Sequence, residues 1–390
     1  MAAQIKAKLP ATAGYGHIPG LDGLRALSVL IVVIAHMGFE NIVPGGFGVT
    51  VFFFISGFLI TRLLLAESES KGKVKLGKFY MRRIVRLYPA LLFMLYITSC
   101  FYIIFKFGSP APMEIAAGVG YFTNIFQVVS RIGGELPFMP WTHLWSLAVE
   151  EHFYLGFPIL VVIFRKNWRN LARVLIGVII GAALWRTYIA FGTSLPAADY
   201  NYMMTDARID SLAWGCLLSV ILHISDDGHI WKRFVGWLPT MLGFTGLAAS
   251  FLIRDESFRY TLRFSVQGIS IFLLILNLYY WRMLGFAFSI LDWKPLAYIG
   301  TISYALYLWH VPIIDLMVRG FGDNLVSKSL AVVISFGLAV FSYNLVEKPF
   351  IKLRRKYGSH IPAGTPKPEQ EKIPEILGID PARVRLALGK

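Results

Sequence analysis

Apolar segments of membrane-crossing length recur along this chain, which limits what it can fold into. A hydrocarbon core holds no water to satisfy exposed backbone groups, so such a chain closes its hydrogen bonds within helices. The segments fall near 21–39, 47–66, 88–107, 143–165, 173–191, 208–225, 235–253, 263–281, 301–320 and 328–347, a pattern that predicts ten spans. Two further apolar stretches, 114–130 and 283–300, are interrupted by Gly, Asn, Asp or Pro and read as interfacial or re-entrant pieces. Composition supports this. The chain is 56% hydrophobic and 16% charged, whereas a soluble domain carries about a quarter charged residues. The expected fold is therefore all-α, a polytopic bundle of about ten transmembrane helices in contact with membrane lipids.

The formal charge of +15 does not call for a nucleic-acid partner, because basic residues collect on the cytoplasmic loops of membrane proteins. Lys71, Lys73, Lys75, Lys78, Arg82, Arg83 and Arg86 surround the second loop and place it in the cytoplasm. Lys166, Arg169 and Arg173 mark another cytoplasmic turn, and Lys348–Lys356 closes the last span. Ten spans with both termini cytoplasmic satisfy these loops together. Residues 1–17 then form a cytoplasmic segment, 18–350 the membrane domain and 351–390 a polar, proline-bearing cytoplasmic tail with a short terminal helix. No apolar h-region precedes 21, so the first span is expected to act as a retained anchor. Cys100 and Cys216 both lie in apolar stretches, and no metal-ligand spacing is present.

Four polar constellations interrupt the apolar chain. Arg25 and His36 stand eleven residues apart on the first segment, close to one helix face and roughly 16 Å apart along it. Histidine suits a general base near neutral pH, but an imidazole hydrogen-bonded to a neighbouring helix explains the position equally. Tyr80, Arg83 and Arg86 precede Pro89, which is expected to open the third span. Two guanidinium groups three residues apart can grip a phosphate, or can simply be interfacial arginines.

The third constellation runs Trp141-Thr142-His143-Leu144-Trp145-Ser146, then Glu150-Glu151-His152. Such a density of ionisable groups at a helix end points to a site. A carboxylate here can orient an imidazole or pair with an intramembrane arginine such as Arg186. The fourth comprises Arg208-Ile209-Asp210 with Tyr304 to His310, and Tyr343 and Glu347 near the end of the last span. Each of these is also open to reading as a salt bridge or an aromatic belt.

Taken in order, these stretches closely resemble the acyltransferase-3 family of integral membrane acyltransferases. The resemblance is carried by Leu21-Asp22-Gly23-Leu24-Arg25 with His36, Gly46-Phe47-Gly48-Val49 and Phe52 to Thr61. It continues through Phe79 to Arg86, His143 to Leu147 with Glu150-Glu151, Arg208-Ile209-Asp210 and Tyr304 to His310. Two positions depart from the family pattern. Thr50 stands where many members carry aspartate, and His152 stands where glutamine is usual. The soluble esterase-like domain of longer members is not expected here.

The resemblance implies an O-acyltransferase of a bacterial inner membrane, with no permanently bound cofactor. Acyl-CoA, most often acetyl-CoA, would enter from the cytoplasm, and a hydroxyl of a glycan or lipid-linked saccharide would accept the acyl group. Under it, His36 is the general base, with Arg25, Glu150 and Glu151 completing the catalytic set. Arg83, Arg86 and Tyr80 bind the donor, and His143, Trp145, Ser146, Arg208, Asp210 and His310 surround the acceptor. A covalent acyl-enzyme is an open alternative. The rival reading in another class is a transporter in which Arg25, His36, Glu150 and Asp315 line a pathway. A small-molecule acceptor such as a macrolide is the rival within the enzyme class.

Overall fold

The computed structural model describes residues 18–135, 138–225 and 228–354. The 1–17 segment lies outside them, as does the expected tail beyond 354. Every long element is a helix. The first four are α1 (Leu21–Ile34), α2 (Gly45–Lys71), α3 (Leu76–Ile104) and α4 (Pro112–Val119). Next come α5 (Thr123–Ile132), α6 (Trp145–Phe164), α7 (Trp168–Gly192), α8 (Ala197–Met203) and α9 (Thr205–Ile224). The chain continues through α10 (Trp237–Leu252), α11 (Glu256–Tyr260), α12 (Arg263–Tyr280), α13 (Ala287–Leu291) and α14 (Lys294–Thr301). It ends on α15 (Ser303–Phe321), α16 (Leu325–Ser342) and α17 (Lys348–Arg354). π-helical turns extend α1 over Ala35–Phe39 and join α16 to α17 over Tyr343–Glu347.

An all-helical membrane bundle is thus what the chain forms, although the count of spans differs from ten. Among the described residues eight helices are long and apolar enough to cross a membrane. A ninth is reached if α14 and α15, bent by 70° at their junction, are one span. The expected span at 235–253 is α10, whose 16 residues extend only about 24 Å, short of a hydrocarbon core. The broken apolar stretches are short helices, α4 and α5 in one case and α13 and α14 in the other.

Pro89 does not open a helix. It sits inside α3, which begins at Leu76 and carries Arg83 and Arg86 in the same continuous helix. Pro89 leaves the Val85 carbonyl, four residues back, without its helical donor, which membrane helices tolerate. Near it, the Tyr304 hydroxyl donates to the Leu87 carbonyl at 2.9 Å.

Small residues set the closest helix contacts, as expected where lipid leaves little hydrophobic drive between helices. A Cβ on Gly57 would lie 2.1 Å from the Leu212 carbonyl oxygen, and one on Gly215 would lie 2.0 Å from that of Phe54. α2 and α9 therefore meet backbone to backbone. The same device joins α1 to α14, where a Cβ on Gly300 would lie 1.9 Å from the Asp22 carbonyl oxygen.

One buried ion pair ties α7 to α9. Arg186 Nη2 lies 2.8 Å from Asp210 Oδ2, both side chains fully buried. The guanidinium also donates to the Thr261 carbonyl at 2.8 Å, the Ala207 carbonyl at 2.5 Å and Ser265 Oγ at 2.7 Å. Arg186 therefore pairs with Asp210 and not, as the sequence allowed, with the glutamates of α6.

Candidate active site

The short loop after α1 makes α1 and α2 antiparallel, so Arg25 lies toward the end of the bundle carrying the Lys71–Lys75 loop and His36 toward the other. At the basic end Arg25 Nη1 lies 3.4 Å from Asp22 Oδ1. Arg86 is exposed and, among the described residues, has no ion-pair or hydrogen-bond partner. Glu347, buried on the π-helical turn after α16, has Arg86 and Arg25 as its charged neighbours. Its Oε1 makes no hydrogen bond with the described residues. Sequence reading noted Glu347 only as a closing residue of the last span.

Arg83 has a different environment from Arg86. Its Nη2 lies 2.6 Å from Glu151 Oε1 and 3.6 Å from Glu150 Oε1. Its guanidinium lies 3.5 Å from the centre of the Tyr154 ring, a cation–π distance. Glu150 Oε1 also accepts from Ser56 Oγ at 2.6 Å and from the Tyr154 hydroxyl at 2.9 Å. Helix geometry explains the convergence: Glu150 and Tyr154, one turn apart on α6, share a face. Among the described residues no hydrogen bond or ion pair joins either glutamate to a histidine; their partners are Arg83, Ser56 and Tyr154. Tyr80 is also engaged, its hydroxyl donating to the Leu155 carbonyl at 2.8 Å.

Toward the other end, three histidines from distant parts of the chain gather. His36 is exposed on the π-helical turn after α1, a turn type enriched at functional positions. Its Nδ1 lies 3.1 Å from Nε2 of His310, which is fully buried on α15. His143 packs edge-on against His310, the ring centres 5.2 Å apart. Tyr307 completes the cluster. Its hydroxyl lies 2.6 Å from Ser146 Oγ and donates to the His143 carbonyl at 2.8 Å.

Beside this cluster Arg208 is fully buried. Its Nη2 donates to Thr50 Oγ1 at 3.0 Å and its Nη1 to the Tyr202 carbonyl at 3.1 Å. The Phe264 ring lies 4.0 Å from the guanidinium, with Trp145, Phe53 and Tyr202 each at 5.6 Å. His152 places Nδ1 2.7 Å from Thr205 Oγ1.

The structure therefore brings His36, His143, Ser146 and His310 into one cluster, and Arg83, Glu150 and Glu151 into another. Asp210 belongs to the Arg186 ion pair instead, and Trp145 to the Arg208 cage. Ser56, Tyr154 and Tyr307 take part from within the stretches that the sequence marked, whereas Tyr202 joins them from outside every such stretch.

Comparison with known proteins places the chain. The acyltransferase-3 family model, described as an acyltransferase domain, matches residues 18–343. O-acetyltransferase OatA of Staphylococcus aureus (strain MRSA252) is 31% identical over 380 residues, 93% of this chain and 61% of the relative. Peptidoglycan O-acetyltransferase OatA of Listeria monocytogenes serovar 1/2a is 31% identical over 354 residues, 86% of this chain and 56% of the relative. The chain thus spans about three-fifths of the length of these curated relatives. No solved structure matches it. With the family model covering most of the described bundle, and the histidine cluster and the Arg83 cluster lying within the matched region, the chain belongs to the acyltransferase-3 family.

Proposed function

We propose that this protein is a membrane O-acetyltransferase that moves an acetyl group from acetyl-CoA to a hydroxyl of a cell-wall glycan. The single observation that carries the reading is His36: an exposed imidazole, backed by two buried histidines, within the family-matched bundle. General-base catalysis needs such an accessible nitrogen within reach of a hydroxyl. The glycan class is taken from the name of the Listeria monocytogenes relative, a peptidoglycan O-acetyltransferase.

In the proposed reaction His36 takes the proton of the acceptor hydroxyl as its oxygen bonds to the thioester carbonyl carbon. The C–S bond then breaks, and the proton on His36 passes to the departing sulfur, leaving the acetyl ester and free CoA thiol. The donor approaches from the basic, cytoplasmic end. Arg86 is the member of the expected arginine pair left to bind CoA phosphates, with Arg25 beside it, because two carboxylates already engage Arg83. Arg83 supports the site through Glu150 and Glu151. The acceptor reaches His36 from the outer side, past His143, Trp145 and Ser146.

The test uses purified protein in detergent with acetyl-CoA and solubilised peptidoglycan fragments, reading both thiol release and ester formation. Wild type should give both in equal amounts, and His36→Ala neither. Undiminished transfer by folded His36→Ala would overturn the proposed base. Absence of transfer by the wild type, with acetyl-CoA bound, would exclude this acceptor.

A further inference from the structure

We infer that His310 is a positioning residue that fixes the tautomer of His36 and leaves Nε2 of His36 as its basic atom. The inference rests on the proposed role of His36 as general base. It starts from the hydrogen bonds of His310, whose Nδ1 lies 2.7 Å from the Tyr307 carbonyl oxygen and 3.2 Å from that of Leu306. A carbonyl oxygen only accepts, so the proton of His310 sits on Nδ1.

His310 is fully buried, and no carboxylate lies within ion-pair distance of it among the described residues. An isolated charge there is costly, so the ring is neutral and carries a single N–H. Its Nε2 therefore presents a lone pair. That lone pair faces Nδ1 of His36 at 3.1 Å. Two lone pairs do not attract, so Nδ1 of His36 must carry the proton and donate it. Neutral His36 then has its own lone pair on Nε2, the nitrogen turned away from this bond.

The direction of the whole chain is set by main-chain carbonyls of α15. Each link has one donor and one acceptor: His310 Nδ1–H to the Tyr307 carbonyl, then His36 Nδ1–H to His310 Nε2. When Nε2 of His36 takes the acceptor proton, the resulting imidazolium keeps its Nδ1–H on His310, which stabilises the charge. No carboxylate is needed to orient the base, which fits the engagement of Glu150 and Glu151 by Arg83. The π-helical turn at Ala35–Phe39 packs against α15 and helps to bring the two rings together.

Full-length protein labelled with ¹⁵N-histidine, in detergent, tests this without a substrate. The resonances of His36 are assigned by difference from His36→Ala. Wild type should show the proton of His36 on Nδ1 and an unprotonated Nε2. His310→Phe, which keeps ring volume and removes the acceptor, should lose that preference and lower kcat about 100-fold with the KM for acetyl-CoA unchanged. His310→Gln, whose side-chain oxygen accepts, should recover part of the kcat. A wild-type His36 protonated on Nε2, or wild-type kcat in His310→Phe, overturns the inference. If His310→Phe does not fold, the wild-type spectrum decides alone. If His36→Ala retains full transfer, the proposed base falls while the spectrum still reads the tautomer.

Discussion

Arg83 lies 2.6 Å from Glu151 and 3.6 Å from Glu150, so one guanidinium holds two adjacent carboxylates inside the bundle. This separates it from Arg86, three residues along the same helix, which is exposed and has no such partner among the described residues. The two arginines should fail differently. Arg83→Ala leaves both carboxylates uncompensated and should cost about 2–3 kcal/mol, less than a fully buried pair because the side chains keep some solvent contact. Arg86→Ala should lower the melting temperature in detergent less than Arg83→Ala does, because Arg25 still faces Glu347, and raise the KM for acetyl-CoA about tenfold, the loss of one charge-assisted phosphate contact. Equal melting of Arg83→Ala and wild type would show that its ion pairs carry no stability.

Asp210 should behave as a structural residue. Its pairing with Arg186 leaves both side chains fully buried, and removal of one partner strands a charge. Asp210→Ala should therefore cost about 3–5 kcal/mol. The loss should appear as folded yield and melting temperature, while the KM for acetyl-CoA of the surviving folded protein stays at the wild-type value. A raised KM without loss of stability would place Asp210 at the substrate instead.

The segments that became the bundle were legible because twenty-residue apolar runs have few other fates, whereas the partners of the polar residues were not. His36 and His310 are 274 residues apart, and Arg83 and Glu151 are 68 apart. Periodicity fixes which face of one helix a residue occupies, not which helix comes to lie opposite. Sequence therefore marked each ionisable residue as costly in lipid, but offered Arg186 as a partner only to the glutamates at 150 and 151 and not to Asp210, with which it pairs. Helix ends were blurred for a related reason: Pro89 suggests a start in isolation, yet α3 runs through it. The shortfall in spans has a similar origin, since α10 is apolar but only 16 residues long, from Trp237 to Leu252, and α15 is bent by 70° from α14.

Thr50 is the polar partner of the buried Arg208. Its Oγ1 accepts from Arg208 Nη2 at 3.0 Å and donates to the Gly46 carbonyl at 3.0 Å. A carboxylate there would meet a buried cation already caged by aromatic faces. Thr50→Asp should raise stability by about 1–2 kcal/mol, the gain of a charge-assisted bond over a neutral one. Thr50→Val should lower it by a similar amount by removing the acceptor. Thermal unfolding of the three proteins in one detergent checks both signs. A lower melting temperature for Thr50→Asp would mean that the aromatic faces and the Tyr202 carbonyl already compensate Arg208.

The glycines of the α2–α9 contact should tolerate no side chain, and those on open helix faces should. A Cβ on Gly57 would sit 2.1 Å from the Leu212 carbonyl oxygen, and one on Gly215 would sit 2.0 Å from that of Phe54. Both obstacles are backbone, so neither helix can yield by changing a rotamer. Gly57→Ala or Gly215→Ala must push the helices apart, at a cost of about 3 kcal/mol. The shift would also disturb Ser56, which holds Glu150 from the residue before Gly57. Gly177, inside α7, has nothing within 4 Å of its would-be Cβ. Gly177→Ala should therefore be neutral or stabilise by up to about 1 kcal/mol, the ordinary preference of a helix for alanine. Melting temperatures of the three variants in one detergent separate packing from propensity, because propensity alone would move all three upward together.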